Sequence, residues 1–571
     1  MTRHALVPIV VAGLLVLATG AMHAQDRGQG LPRGGGQRLP PRAQPVAPDT
    51  PAGTGVLAGQ VVAADTGTPI RRAQVRVSGR TIRQSRLAVT DAEGRFEVRD
   101  LAAGRYTLTA SKGGFVTLQY GQRRPGESGT PLELSEGQTI GKLVVGLPRG
   151  SVIGGRVTDE YGEPVANASV TALHYAYTGG ARRLVPAGAR DTTDDQGSYR
   201  LFGLPPGEFI VSAVIRTGNV TDPGDDPSGY APTYYPGTPN PGEAQRVRVD
   251  LAQENTSVSF GLVATRLVQL TGQVVSSSGL PPGGGMVLLT TAGGATDMAS
   301  FIAGGRGRID GTGAFRVSNV PPGRYVLQAR TGNPRSGGGE FARLDITVGA
   351  GDVEGLTLVT APAGRVAGTV VTDTGVPLPS GAIQVTSRPA SPEAPGFGGG
   401  GGGQARVGAD GTFEIGNLME PRYIRVNAPQ GWTLKSVSIA GQDATDMAVD
   451  VPPGQVVSGV QIVLTQKVSG AKGTVLDERG APVLDATVVL FPEDERLRTY
   501  QSRFIKAARP DQDGTFTIAD LPPGAYLAVA VQALEDGRAG DPEFMESAEA
   551  FATAVTIDEG ETRTLTLALK R

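Results

Sequence analysis

Few side chains in this sequence are of the types that perform catalysis or bind transition metals. The chain has no cysteine and three histidines. His4 and His23 lie in an N-terminal leader, which leaves His174 as the single histidine beyond it. This composition excludes a zinc site built from Cys and His, and it excludes a cysteine nucleophile. A serine hydrolase would depend on His174 alone, without a Gly-x-Ser-x-Gly motif, so we expect no catalytic residues and interpret His174 as a half-exposed residue at a strand end.

Two acidic turns offer clustered carboxylates that could in principle attract calcium. Asp511 and Asp513 lie in "DQDG", and Asp194 and Asp195 lie in "TDDQG". Calcium requires six to eight oxygen ligands, and neither turn extends into a full ligand loop. We therefore interpret both as Asx-type β-turns, in which the carboxylate accepts backbone hydrogen bonds, and we predict no metal and no cofactor.

Aromatic side chains in loops rich in proline and glycine are the candidates for ligand binding. Aromatic rings held on loops suit stacking against sugar rings or a partner protein. The alternative is that the loops fold back and the rings cover the end of a β-sandwich. The candidate ligand-binding residues are Tyr230, Tyr234 and Tyr235 in "DPGDDPSGYAPTYYPGTPNPGE", with Tyr175 and Tyr177 in "TALHYAYTGG".

A shorter segment, "GFVTLQYGQRRPGE", resembles that first loop in composition. It carries Phe115, Tyr120, Arg123 and Arg124. The repeat pattern described next does not account for these residues.

The elements that position these loops are indicated by a repeat. Five times, an aromatic, a Leu or Val and a second aromatic follow one another at intervals of five residues. Pro-Gly turns such as "LPPGEF" and "VPPGRY" separate the last two members of most triples. A fixed internal period is the signature of a repeat architecture. The triples are Phe96–Leu101–Tyr106, Tyr199–Leu204–Phe209, Phe315–Val320–Tyr325, Phe413–Leu418–Tyr423 and Phe516–Leu521–Tyr526.

Each triple lies in a unit of roughly a hundred residues, near the usual size of one domain. The unit opens with Gly and a β-rich run, as in Gly59-Gln-Val-Val, and an Asp-x-x-Gly-x-aromatic turn precedes the triple's first strand. Apolar residues alternate, so that Phe96 and Val98 share one face, as do Tyr106 and Leu108. The fold class predicted is all-β, a tandem array of about five antiparallel β-sandwich modules.

The fourth repeat departs from the others. Its segment "LMEPRYIRV" lacks the Pro-Gly pair, and its apolar parity shifts to Ile424, Val426 and Ala428. We expect a different hairpin register there, for example through a β-bulge.

The pattern resembles the carboxypeptidase regulatory-like domain family. The resemblance is carried by Gly-x-Val-x-Asp…Gly-x-Pro-Val…Ala-x-Val, Asp-x-x-Gly-x-Phe and Leu-Pro-Pro-Gly-x-Tyr, in five copies. It implies a transthyretin-like, carbohydrate-binding-like sandwich with seven strands. The family takes its name from an accessory domain of metallocarboxypeptidases, and their catalytic zinc domain has no counterpart here. Fold likeness of this kind does not specify a function.

The N-terminus predicts export. An apolar run from Ala5 to Leu17 follows Arg3 and ends in small residues, which is typical of a bacterial secretory signal peptide. We place cleavage after Ala24, with Ala21 as the alternative, and expect a periplasmic or extracellular protein without a transmembrane segment after cleavage. The net charge of −2, from 53 basic and 55 acidic residues, indicates no nucleic-acid partner.

The predicted modules adjoin one another after the signal peptide and a Pro/Gly-rich linker. Short joints such as "LPRGSVIGG" predict a semi-rigid rod in which consecutive modules meet end to end. The predicted boundaries are signal peptide 1–24, disordered linker 25–54, module 1 55–149, module 2 150–265, module 3 266–361, module 4 362–466 and module 5 467–571.

Three functional hypotheses follow from this organisation. The first is a non-catalytic exported protein that acts in binding, adhesion or spacing, with a glycan or a cell-envelope protein as its partner. The second is a carbohydrate-binding protein that uses the exposed tyrosines of module 2. The third is an accessory subunit of a separate peptidase.

Overall fold

The structure is a computed structural model that describes most of the chain after the linker. The described residues are 53–570, except 80, 83, 125, 179, 216–227, 280–281, 292–304, 333–338, 379–382 and 392–402. The predicted signal peptide, nearly all of the predicted linker and the first part of the tyrosine-rich loop of module 2 lie outside the described residues.

The period-two alternation of apolar residues forms strands as predicted. Phe96 and Val98 are buried in one strand of module 1, whereas Glu97 between them is exposed. Tyr106 and Leu108 are buried in the next strand. Successive side chains of a strand point to opposite faces, so this alternation places the aromatic residues in a core. The described part of the chain contains five main hydrophobic cores, one in each predicted module.

Module 1 has two sheets, with strand orders β4-β1-β8 and β3-β2-β5-β6, and β7 also pairs with β5. Its strands are β1 Gly55–Ala63, β2 Gln74–Gly79, β3 Arg86–Val89, β4 Arg95–Leu101, β5 Gly104–Ser111, β6 Leu118–Gln119, β7 Leu132–Leu134 and β8 Thr139–Leu147.

Module 2 is built on β12-β9-β17 and β11-β10-β13-β15, with β18 on β9, β16 on β13 and a separate pair β14-β19. A short 3-10 helix covers Pro241–Glu243. The strands are β9 Ser151–Thr158, β10 Ala168–Thr178, β11 Ala181–Thr192, β12 Ser198–Leu204, β13 Gly207–Ile215, β14 Ser228–Tyr230, β15 Thr233–Tyr234, β16 Val247–Val249, β17 Glu254–Asn255, β18 Phe260–Gly261 and β19 Ala264–Arg266.

Module 3 closes into a barrel in the order β20-β23-β22-β21-β24-β25-β26. Its strands are β20 Val268–Ser276, β21 Gly285–Thr291, β22 Arg306–Ile309, β23 Ala314–Val320, β24 Gly323–Thr331, β25 Glu340–Val348 and β26 Val353–Pro362.

Module 4 has sheets β30-β27-β34-β32-β33 and β29-β28-β31. The shift of apolar parity is present, because Ile424 enters the core and Tyr423 lies outside that cluster. The predicted change of hairpin register does not apply, since β30 and β31 lie in different sheets and form no hairpin. The strands are β27 Gly364–Thr372, β28 Gln384–Pro389, β29 Gln404–Arg406, β30 Thr412–Leu418, β31 Arg422–Asn427, β32 Thr433–Ile439, β33 Gln442–Asp443 and β34 Val456–Thr465.

Module 5 forms one sheet in the order β37-β36-β39-β41-β35-β38, with β40 on β39. Helix α1, Pro542–Glu549, covers a second, smaller apolar cluster, and 3-10 turns cover Glu495–Leu497 and Arg538–Gly540. The strands are β35 Gly470–Leu476, β36 Thr487–Pro492, β37 Lys506–Ala508, β38 Thr515–Ala519, β39 Gly524–Val531, β40 Thr553–Ile557 and β41 Thr562–Lys570.

The first strand of every module pairs antiparallel with the strand of the first aromatic residue and parallel with a strand near the module's end. In module 1 these partners of β1 are β4 and β8. The same arrangement recurs at β9, β20, β27 and β35. The all-β class is thus confirmed, and each module adds a parallel pairing that the alternating pattern does not reveal, because alternation carries no strand direction.

The second aromatic residue of three triples is anchored by its hydroxyl. Tyr106 donates a hydrogen bond of 2.6 Å to the carbonyl oxygen of Ala102, four residues earlier. Tyr325 and Tyr526 donate in the same way to the carbonyl oxygens of Pro321 and Pro522, at 2.8 and 2.6 Å. The buried ring fills the core while its one polar atom is satisfied by a backbone carbonyl group of the preceding turn.

Module 5 contacts more than its neighbour in sequence. Arg503 donates two hydrogen bonds, of 2.8 and 3.0 Å, to the carboxylate of Asp446 in module 4. Arg123 of module 1 lies 3.1 Å from the Asp485 carboxylate of module 5, although 362 positions separate them. Modules 1 and 5 are therefore in contact, which the prediction of a rod of abutting modules did not include. Local sequence patterns carry no information on such distant contacts.

Replacing Tyr526 with Ala should destabilise module 5 by about 3–5 kcal/mol, the usual range for a large buried aromatic residue. Tyr526 is 0% exposed and belongs to the core of that module. Tyr526→Phe should cost about 1 kcal/mol, because only the hydrogen bond to Pro522 is lost. Hydrogen exchange of the full chain, followed by mass spectrometry, reports the free energy of opening peptide by peptide.

The matched control is Tyr161→Ala, since Tyr161 is 83% exposed and should matter by less than about 0.5 kcal/mol. Unchanged exchange in module 5 peptides of Tyr526→Ala would contradict the core assignment.

Candidate functional site

The predicted tyrosine loop of module 2 folds back against its own sandwich. Tyr234 is 5% exposed and packs with Leu173 and Ile210 in a small apolar cluster. Its strand β15 extends the sheet, because Tyr234 pairs with Ser212 of β13. Tyr235 is half-buried against the module core, and its N–H donates to the carbonyl oxygen of Val211 at 2.9 Å. Neither ring stands free on an exposed loop.

Tyr175 lies on the long hairpin of β10 and β11 and is covered by arginines. The guanidinium carbon of Arg182 is 4.6 Å from the centre of the Tyr175 ring, and that of Arg246 is 5.8 Å away. Cation–π contacts of this kind hold the ring in place. A sugar that stacked on Tyr175 would have to displace these guanidinium groups.

Tyr177, two residues further along the same strand, contacts module 5. The guanidinium carbon of Arg538 lies 5.7 Å from the centre of its ring. Backbone also approaches closely here, since a Cβ on Gly537 would stand less than 3.0 Å from the carbonyl oxygen of Tyr177. The tip of this hairpin is thus part of a contact between modules.

His174 is a half-buried residue of β10. Its ring meets the edge of Phe209 at a centroid distance of 6.3 Å. Burial lowers the pKa of His174, and the carboxylate of Glu535 opposes that shift. His174 is thus half-buried as predicted, but it lies inside β10, four residues before the strand ends at Thr178, and not at a strand end.

Tyr230 is half-buried against the core of module 2 and lies beside the exposed residues Glu160 and Tyr161. Its hydroxyl donates a hydrogen bond of 2.7 Å to Glu160, and this bond raises the pKa of Tyr230 to about 12. The neighbouring Tyr161 is 83% exposed, the largest value among the exposed large apolar side chains of the described residues. The three residues place an aromatic face beside a carboxylate at the surface. The candidate list from the sequence contains Tyr230 but not Tyr161.

Tyr161 was missed because it occupies a turn of the repeat. The turn reads "EYGEPV" in module 2, "DTGTPI" in module 1 and "ERGAPV" in module 5. Thr66 and Arg479 stand at the corresponding positions. A comparison of the repeats could therefore have identified Tyr161, because module 2 alone among these three has an aromatic residue at this position.

The acidic turns use their carboxylates within the fold. Asp511 accepts hydrogen bonds from the backbone N–H groups of Asp513 and Thr515, at 2.9 and 3.0 Å. Asp194 accepts in the same way from Gln196 and Ser198, at 3.0 and 2.7 Å. This is the geometry of Asx turns. No group of three or more His, Cys, Asp or Glu residues that could hold a metal occurs within the described ranges.

Helices contribute little to the described part of the chain, and none found there has the length and hydropathy required to cross a membrane.

Several solved bacterial structures, pilus proteins among them, are similar to this chain at low TM-scores. The TIE protein of Bacillus anthracis matches at a TM-score of 0.15 and 12% identity, over 73% of this chain and 74% of its own. The minor pilin of Streptococcus agalactiae matches at 0.19 and 14%, over 37% and 97%. The full-length pilus protein of Streptococcus pneumoniae matches at 0.15 and 9%, over 74% and 98%. At these TM-scores no conclusion about activity or assembly follows.

Sequence comparison gives the family directly. No curated protein sequence matches the chain. The profile of the carboxypeptidase regulatory-like domain matches residues 56–141, 152–252 and 470–570, which fall in modules 1, 2 and 5 and together make up just over half of the chain. The chain therefore belongs to the carboxypeptidase regulatory-like domain family.

Proposed function

We propose that this protein is a non-catalytic, exported, multi-module protein that acts in binding, adhesion or spacing. The observation that carries the proposal is that turn carboxylates and core tyrosine hydroxyls, which are of types suited to chemistry, have hydrogen-bond partners within the fold. Asp194 and Asp511 cap turns, Tyr106 and Tyr526 bond backbone carbonyl groups, and His174 packs on an aromatic ring. The function of the protein is therefore carried by its exposed surfaces.

Modules 3 and 4 are further copies of the same domain in this proposal, which brings the number of copies to five. Support comes from shared features outside the matched ranges. Gly272 and Gly368 pair with Phe315 and Phe413, as Gly59 pairs with Phe96 in module 1. Each of these first strands also has a parallel partner late in its module.

The protein acts outside the cytoplasm in this proposal, in the periplasm or beyond the cell. The leader pattern of residues 1–24 and the absence of cysteine support export without disulfides. The nearly balanced charge favours a partner other than nucleic acid, namely a cell-envelope protein or a glycan.

To test this proposal, the purified full-length protein is assayed against peptide and glycan panels, with binding and turnover measured in parallel. We expect saturable binding without product formation. Robust turnover that a single substitution abolishes would overturn the proposal. A substitution of His174 by Gln, which keeps a polar side chain in the half-buried position, should leave binding unchanged.

A second candidate function, carbohydrate binding by module 2, is favoured by the cluster of Tyr161, Tyr230 and Glu160. An exposed ring beside a carboxylate offers one stacking surface and one hydrogen-bond acceptor, which suits a sugar face with its hydroxyl groups. The buried Tyr234 would contribute support rather than contact in such a site.

Glycan-array binding should fall about tenfold in Tyr161→Ala, equivalent to about 1.4 kcal/mol of lost stacking. The matched control is Phe202→Ala, which removes another aromatic ring of module 2 that is 53% exposed. Equal loss in both variants, or no glycan signal from the unmodified protein, would count against a site at Tyr161.

A further inference from the structure

A segment of module 1, residues 126–133, docks on module 5 through hydrogen bonds to its backbone. The side-chain amide of Gln512 pairs with both backbone groups of Glu133, accepting from its N–H at 3.0 Å and donating to its carbonyl oxygen at 3.1 Å. The N–H of Asp536 donates to the carbonyl oxygen of Gly126 at 2.7 Å. These contacts join segments about 380 to 410 positions apart. We call this contact the 1–5 joint.

At the centre of the 1–5 joint lies a buried ion pair. Arg509 of module 5 is 4% exposed and Glu127 of module 1 is 7% exposed. Nη1 of Arg509 lies 3.6 Å from Oε2 of Glu127 and donates a hydrogen bond to the carbonyl oxygen of Ser128. Desolvation of two charges offsets much of their attraction. This pair fixes which surfaces meet more than it strengthens the joint.

Part of this buried polar cluster is unsatisfied. Nε and Nη2 of Arg509 and Oε1 of Glu127 are buried and make no hydrogen bond to the described residues. Burial raises the pKa of Glu127 even though Arg509 and Arg124 oppose the shift, with Asp485 acting in the same direction as burial. Unpaired buried polar groups weaken an interface. These unpaired atoms make the 1–5 joint weaker than a fully paired cluster would make it.

Nothing covalent restricts the 1–5 joint to a single molecule. The sequence has no cysteine, so no disulfide closes it. The two surfaces differ from one another, and contact between unlike surfaces can form within one chain or head to tail between two chains. The contact forms within one chain when the effective concentration set by modules 2 to 4 exceeds the concentration of the protein. It forms between chains when the protein concentration is the higher of the two.

We propose that the 1–5 joint exchanges between molecules, so that module 5 of one copy binds the 126–133 segment of a second copy. Modules 4 and 5 exchange as a pair, because Arg503 and Asp446 hold them together. The contact between Tyr177 and Arg538 separates and re-forms in the same step. The result is concentration-dependent head-to-tail self-association, which requires no other ligand.

Cysteine cross-linking tests the exchange, since the unmodified chain contributes no thiols. Ser128 donates a short hydrogen bond to Asp536 across the joint, so Ser128→Cys and Asp536→Cys place two thiols face to face. The two single-cysteine chains carry different tags, are mixed, and are oxidised at increasing concentration. We expect a mixed disulfide dimer that grows with concentration, whereas the double-cysteine chain cross-links within itself when dilute.

One control sets the baseline. Replacing the Ser128→Cys chain by Ser257→Cys, at an exposed position of module 2, measures collisional cross-linking.

A mixed dimer above the Ser257→Cys baseline that grows with concentration supports exchange. A mixed-dimer yield equal to that baseline at every concentration overturns it, whether or not the double-cysteine chain closes on itself.

Discussion

One steric constraint underlies every module, namely the close approach of two backbones beside the first strand's glycine. A Cβ at this glycine would stand less than 3.0 Å from a carbonyl oxygen of the parallel partner segment, a separation that real Cβ atoms essentially never show. Glycine in a strand interior marks this kind of approach. On the other side, the same residue pairs with the first aromatic residue of the triple. The glycines concerned are Gly59, Gly155, Gly272, Gly368 and Gly473.

This constraint connects the repeat in the sequence to the core. The glycine lets the first and last strands close the module, and the facing aromatic residue fills the core beside it. The triple then continues through a turn to a second aromatic residue, whose hydroxyl is bonded in modules 1, 3 and 5. Polar side chains in the turns also stabilise the fold, since Asp194 and Asp511 accept hydrogen bonds from backbone N–H groups. In a chain built this way, most reactive side chains stabilise the fold. Exposed aromatic rings and the surfaces between modules remain available for interactions.

Much of this could be predicted from the sequence, because it is local. Alternation identified the strands, and the parity shift at Ile424 was visible as a departure from the other repeats. The parallel pairing was not accessible, since apolar parity is the same for either strand direction. The burial of Tyr234 and the contact of Glu127 with Arg509 depend on distant segments that no local pattern relates. Tyr161 was accessible by comparing repeats, yet a turn position is easily assigned to structure alone.

The most direct measurement of the glycine constraint compares two substitutions within module 3. Gly272→Ala introduces a Cβ less than 3.0 Å from the carbonyl oxygen of Leu356, whereas Gly311→Ala meets nothing within 4 Å. Hydrogen exchange of module 3 peptides in the full chain should show a loss of about 1–3 kcal/mol for Gly272→Ala, the range for overpacking. Gly311→Ala should stay within about 0.5 kcal/mol of the unmodified protein. Equal exchange in the two variants would contradict the account.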